Sequence, residues 1–154
     1  MAQYEPWRAE RAGEIIGAHQ HLDGATLPIL HALQAAFGFI HPDAVAMTAH
    51  ALNLSRAEVH GTLSFYHDFR DTPPGARVIK VCRAESCQAM GGEAAAKFLL
   101  ASLGVDWGET TADGAVTVEA VYCLGFCAAS PAALIDGEPL GRVDGMTLAQ
   151  AARG

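Results

Sequence analysis

Basic side chains are scarce in this sequence, in which 10 Lys and Arg residues are set against 17 Asp and Glu residues. The formal net charge is −7 over 154 residues. Proteins that bind nucleic acid usually present a basic face to the phosphates, and no run of Lys or Arg supplies one here. We therefore expect no nucleic-acid partner.

Long apolar runs are also missing, since no uninterrupted stretch approaches the roughly 20 residues that span a bilayer. The first 20 residues, MAQYEPWRAERAGEIIGAHQ, carry mixed charges and lack the apolar core of a signal peptide. We expect a cytoplasmic chain without a membrane segment. Thiols stay reduced in that compartment, so paired cysteines are more often metal-binding or redox-active than disulfide-bonded.

Catalytic motifs are a third absence. The sequence contains no phosphate-binding P-loop, no GxGxxG after a strand, no nucleophile elbow and no HExxH. We therefore assign no catalytic residue to this chain. Any nucleotide, flavin or molybdenum chemistry would belong to partner chains.

Two halves with different residue types follow one another along the chain. All 7 histidines lie within the first 67 residues, and all 4 cysteines lie from Cys82 onward. The segment Asp71–Gly75 (DTPPG) separates them and has the composition of a turn-forming linker. We expect one domain over residues 1–72 and a second over residues 76–154.

The first half has helical periodicity. Helices are predicted from Trp7 to about Gln20, from near Pro28 to Gly38, from about Pro42 to Leu52, and after Ser55. The last has the clearest start, because the sequence Ser-Arg-Ala-Glu at residues 55–58 matches the capping box. Four short helices with short connections predict a small helical bundle.

The second half alternates between strand and helix patterns. Strands are predicted over 77–81 and 115–121, with a helix from Glu93 to about Leu103 between them. A hairpin follows over 133–140 with Asp-Gly at its turn, and a closing helix begins at Thr147. This order is that of a thioredoxin-like α/β domain, so the whole chain is predicted to be α+β.

The four cysteines form the strongest chemical signal. Cys82 and Cys87 have C-x4-C spacing, Cys123 and Cys127 have C-x3-C spacing, and each pair follows a predicted strand. Adjacent strands would bring both pairs to one sheet edge, where four thiolates could hold a 2Fe-2S cluster. Structural zinc also takes four cysteines but more often has CxxC spacing, so a zinc-stapled interaction module remains an alternative.

The segments around these cysteines resemble a known family. VCRAESCQAMGG at residues 81–92 and VYCLGFCAASP at residues 121–131 are similar to the thioredoxin-like 2Fe-2S subunits of NADH dehydrogenases. The segments LPILHALQ and GFI (27–34 and 38–40), and VHGTLSFY (59–66), resemble the N-terminal bundle of that family. The likeness covers roughly residues 10–145 and, at CRAESCQ, is nearest to the gamma subunit of NAD-dependent formate dehydrogenase.

The resemblance implies one 2Fe-2S cluster bound by Cys82, Cys87, Cys123 and Cys127, in a subunit that carries electrons. Its implied partners are a flavin- and NAD-binding subunit and a molybdenum-containing catalytic subunit, so FMN, NAD and the molybdenum cofactor lie in other chains. Equivalent subunits of NAD-linked hydrogenases and of complex I are the alternatives within the family. The isolated chain could also form a homodimer. Phe126 departs from the family, where this position is more often Asn or another small or polar residue.

Overall fold

The computed structural model of the protein describes residues 4–154 and divides into two compact units between Pro73 and Pro74. The division falls within the proline-containing segment that the sequence marks as a linker. No helix among the described residues is long and apolar enough to cross a membrane.

The first unit is helical. Its four helices are α1 (Ala9–His19), α2 (Thr26–Phe37), α3 (Pro42–Leu52) and α4 (Arg56–Phe65). They bury one apolar cluster, to which α2 contributes its aliphatic face. The fully buried members of that cluster are Ala12, Ile29, Leu30, Leu33, Ala44 and Val59.

Helix boundaries in this unit follow local chemistry. The α4 capping box is present: Ser55 Oγ accepts from the Glu58 backbone N–H, and the Glu58 carboxylate accepts from the Ser55 N–H. Gly38 ends α2 in the left-handed conformation at φ 81°, which glycine adopts without steric cost. Helix α2 begins at Thr26, two residues before the predicted start at Pro28. Pro28 is tolerated in the first turn, because the N–H that proline lacks would have no intrahelical partner there.

The second unit contains a four-stranded mixed sheet. Its strands are β1 (Arg77–Cys82), β2 (Val116–Val121), β3 (Ala132–Ile135) and β4 (Glu138–Gly141), in the order β2-β1-β3-β4. Strands β1 and β2 are parallel, whereas β3 is antiparallel to both β1 and β4. At the β3–β4 turn, Asp136 and Gly137 both have positive φ, as the predicted type I′ turn requires.

Three helices accompany the sheet: α5 (Glu85–Ala89), α6 (Gly92–Leu103) and α7 (Gly145–Arg153). Apolar residues of β1, β2 and β3 share a core with α6 and α7, in which Ile79, Val118 and Leu99 are fully buried. The sequence did not predict α5, which is only five residues long and contains Cys87. The predicted α+β class and the thioredoxin-like order of the second half are confirmed.

Candidate iron–sulfur site

The two cysteine pairs start at neighbouring strand ends. Strands β1 and β2 are paired in register, so that Cys82, the last residue of β1, lies opposite Val121, the last residue of β2. Cys123 follows Val121 by two residues. Because the strands are parallel, their carboxyl ends meet at the same edge of the sheet, as the sequence predicted.

The second cysteine of each pair is placed by a short helical turn. Cys87 lies in α5 and is buried, with only 3% of its surface exposed. Cys127 begins a single 3₁₀ turn over Cys127–Ala129 and is exposed, as is Cys123. The site therefore has one buried pair and one pair at the surface.

Backbone N–H groups converge on the Cys82 sulfur. Burial alone would raise the pKa of this thiol, but hydrogen bonds from the N–H groups of Ala84, Cys123 and Leu124 and from the Cys87 side chain lower it. The sulfur of the first segment thus receives hydrogen bonds from the second. Such N–H donors stabilise a thiolate, which is the form that binds metal.

The sulfurs of Cys87 and Cys127 also interact with other cysteines of the site. Burial, followed by the hydrogen bond to Cys82, raises the pKa of Cys87, which also interacts electrostatically with Cys127. The hydrogen bond to Cys123 is the main cause of the raised pKa of Cys127. Cys127 also interacts electrostatically with Cys82. The four sulfurs are therefore near neighbours, arranged as Cys82 with Cys87 and Cys123 with Cys127.

The loop that carries the surface pair is shaped by two left-handed residues. Cys123 has φ 83°, which is unusual for a residue with a side chain, and Gly125 has φ 80°. The Gly125 N–H consequently reaches the Cys123 sulfur at 3.4 Å. Tyr122 and Phe126 stand out from this loop, with 73% and 41% of their surfaces exposed.

A pair of serines joins the two cysteine segments. The hydroxyls of Ser86 and Ser130 lie 3.0 Å apart, and Ser130 Oγ also donates to the Cys127 carbonyl at 2.9 Å. Ser86 precedes Cys87 by one residue, so this contact connects the second cysteine of each pair. Sequence reasoning gave neither serine a specific role, although both lie inside the family-like segments.

The donor set fits a 2Fe-2S cluster. A 2Fe-2S centre takes two thiolates on each iron, and the structure presents two thiol pairs side by side. Backbone N–H donors and small residues at the strand ends also suit the approach of bridging sulfides.

Comparison with known proteins identifies the family. Residues 12–153 match the thioredoxin-like 2Fe-2S ferredoxins, and the chain belongs to that family. A subunit of the NADH-quinone oxidoreductase of Mycobacterium bovis is 36% identical over 127 residues, which are 82% of this chain and 50% of that protein. A subunit of the NADH-quinone oxidoreductase of Thermus thermophilus is 34% identical over 115 residues, covering 75% of this chain and 64% of that protein.

Solved structures agree with this assignment. A chain of an NAD+-reducing NiFe hydrogenase in the H2-reduced state is 31% identical, with a TM-score of 0.69. The match covers 80% of this chain and 21% of that one. The present chain thus spans half the length of the mycobacterial relative and a smaller part of the hydrogenase chain. The family predicted from the cysteine segments is confirmed.

Proposed function

We propose that this chain binds one 2Fe-2S cluster through Cys82, Cys87, Cys123 and Cys127 and carries single electrons within a larger oxidoreductase. In this proposal residues 76–154 form the ferredoxin domain, and residues 1–72 form a separate helical domain. In this proposal the chain supplies the cluster ligands and their surroundings, and partner subunits supply the catalytic site.

The observation that carries the proposal is the convergence of the two cysteine segments. The Cys82 sulfur accepts hydrogen bonds from the backbone of its own loop and from the N–H groups of Cys123 and Leu124. Neither segment would have this geometry without the other. Hydrogen bonds to cluster sulfurs raise the potential of an iron–sulfur centre, so these N–H groups would favour the reduced form.

The surface pair marks the side at which electrons would enter and leave. Cys123 and Cys127 are exposed, and Tyr122 and Phe126 stand beside them. The segment 121–131 contains no charged residue, although the chain as a whole carries −7. Aromatic residues with few charges are typical of the centre of a protein–protein interface. We propose that a flavin- and NAD-binding subunit covers this loop and exchanges electrons with the cluster.

The complex that we propose is a cytoplasmic NAD-dependent formate dehydrogenase, in which a molybdenum-containing subunit oxidises formate. Support for it comes from the CRAESCQ segment at residues 82–88. The names of the relatives favour a second candidate, an equivalent subunit of an NAD-linked hydrogenase or of complex I. In each of these, FMN and NAD would be held by partner subunits.

Metal analysis of anaerobically purified protein tests the cluster. We expect about two iron and two sulfide per chain and an EPR signal on reduction, as for a 2Fe-2S centre. Cys87→Ser should lose or alter that signal, whereas Ser102→Ala, on α6, should not. A colourless protein with one zinc per chain would instead establish the zinc-stapled interaction module.

Isolation of the native complex tests the partners. Proteins that co-purify with the chain should include a flavoprotein, and formate should reduce the cluster within the complex. Reduction by H2 or NADH but never by formate would replace the formate dehydrogenase proposal with one of the alternatives. Size measurement of the isolated chain decides whether it pairs with a second copy.

A further inference from the structure

The backbone of Arg83 is hydrogen-bonded to both cysteine segments. Its backbone N–H donates to the Val121 carbonyl at 2.8 Å, two residues before Cys123. Its carbonyl accepts from Gln88 Nε2 at 2.8 Å, one residue after Cys87. The backbone of Arg83 is thereby fixed relative to both pairs of sulfurs.

The guanidinium group makes two contacts of its own. Arg83 Nη2 lies 3.4 Å from a Glu93 carboxylate oxygen, in the first turn of α6. On its other side, the guanidinium carbon is 4.9 Å from the ring centroid of Trp107, within the range of a cation–π contact. These two contacts restrict the positions that the cation can take beside the ligand loop.

Glu93 cancels the Arg83 charge only in part. The pair has one contact at 3.4 Å and lacks the two parallel bonds of a bidentate pair. Arg83 Nε is buried and has no hydrogen-bond partner among residues 4–154. The Glu93 side chain is 44% exposed against 27% for Arg83, so water screens the anion more than the cation.

The charges of Arg83 and Glu93 would have opposite effects on the electron affinity of a cluster bound at this site. A cluster bound by four thiolates is anionic and gains a further negative charge when it is reduced. A fixed cation nearby stabilises the reduced form more than the oxidised form, and a fixed anion does the reverse. Arginine remains charged at all accessible pH values, so the contribution of Arg83 is permanent.

We propose that Arg83 and Glu93 form an opposed pair of charges that sets the reduction potential of the cluster site, with Arg83 raising it and Glu93 lowering it. The inference rests on the proposed function, because it needs a cluster on the four cysteines. Trp107 holds the cation in place.

The test is an EPR-monitored redox titration of the cluster-bound chain and its variants. Arg83→Met should lower the midpoint, so that the ratio of reduced to oxidised cluster at the wild-type midpoint falls on the order of tenfold, as expected for the loss of one partly screened unit charge. Glu93→Gln should raise the midpoint by a smaller factor, and the double variant should lie between the two. Arg83→Lys keeps the charge and should remain near wild type.

A purely structural role would reduce the amount of cluster bound without separating the midpoints in this way. Equal midpoints, or shifts of the same sign in Arg83→Met and Glu93→Gln, would overturn the inference while leaving the cluster proposal intact. If Arg83→Met fails to hold a cluster, the midpoint of Glu93→Gln tests the inference by itself. A raised midpoint supports the opposed charges of Arg83 and Glu93, and an unchanged midpoint overturns the inference. A wild-type protein without iron would overturn both proposals.

Discussion

Gly92 is the position where one added methyl group should disturb the cysteine site most directly. A Cβ atom at Gly92 would lie 2.6 Å from the Cys87 carbonyl oxygen and 3.0 Å from its carbonyl carbon. The first distance is about 0.8 Å short of the 3.4 Å at which ordinary contact begins. Both clashing atoms are backbone, so no side-chain rotation relieves them. Gly92→Ala must therefore move the Cys87 peptide or the start of α6.

Overpacking of this kind costs about 1–3 kcal/mol in the free energy of unfolding. For a chain of this size, each kcal/mol corresponds to about 2–4 °C in the melting temperature. Displacement of Cys87 should also change the environment of the cluster. We expect Gly92→Ala to melt at a lower temperature, to bind less iron per chain and to show an altered visible circular dichroism spectrum.

Gly17→Ala is the matched control for the substitution. Gly17 lies inside α1, and a Cβ there would have no heavy atom within 4 Å. Alanine should stabilise α1 by about 0.5–1 kcal/mol, because glycine loses more backbone entropy in a helix. Wild-type unfolding, iron content and spectrum in Gly92→Ala would refute the argument that Gly92 permits the close approach of α6 to Cys87.

Three further predictions concern stability. Ser55→Ala should lower the unfolding free energy of the helical unit by about 1 kcal/mol in chemical denaturation, and Ser55→Asp should retain most of it. The backbone and side-chain hydrogen bonds from Ser55 lower the pKa of Glu58 below its ordinary 4.5. Glu58 therefore stabilises the fold above that pH and stops doing so as the pH falls through its lowered pKa, a dependence that Ser55→Ala should weaken. Gly137→Val should cost about 1–2 kcal/mol by thermal unfolding, because φ 89° is strained for a residue with a side chain even in open space; an unchanged melting temperature would contradict this. Thr117→Val should cost about 1–3 kcal/mol, because the buried Gly75 N–H loses its 2.6 Å acceptor, and equal stability of Thr117→Ser would show that the hydroxyl is responsible.

Several elements could be located from the sequence because their signals are local. The capping box, the glycine after α2 and the Asp-Gly turn each act within a few residues, and the structure contains all three. Helix α3 has the predicted bounds, since Pro42 and Asn53 mark its ends. The strand before Cys82 was recognisable because β-branched residues are concentrated there.

The aromatic residues at the end of α4 show where such reasoning fails. In the sequence, Val59, Leu63 and Tyr66 follow one another at helical spacing and predict an apolar stripe. Core packing is accordingly the role that the sequence predicts for Phe65 and Tyr66. In the structure the helix ends at Phe65, and the two side chains are 72% and 44% exposed. Periodicity marks the face of a helix but not whether another element covers that face.

The sequence by itself determined the order of the strands and of every helix except α5, together with the four thiol-bearing residues and their attachment to two strand ends. Each of these depends on residues close together in the chain. Tertiary structure alone decided that Cys82 and Cys87 are buried while Cys123 and Cys127 are exposed. It also brought the N–H groups of the second segment to the Cys82 sulfur. The same holds for the contact of Arg83 with Glu93 and Trp107. These contacts join residues 10 to 42 positions apart, and only the pairing of β1 with β2 and the packing of α6 on the sheet bring them together.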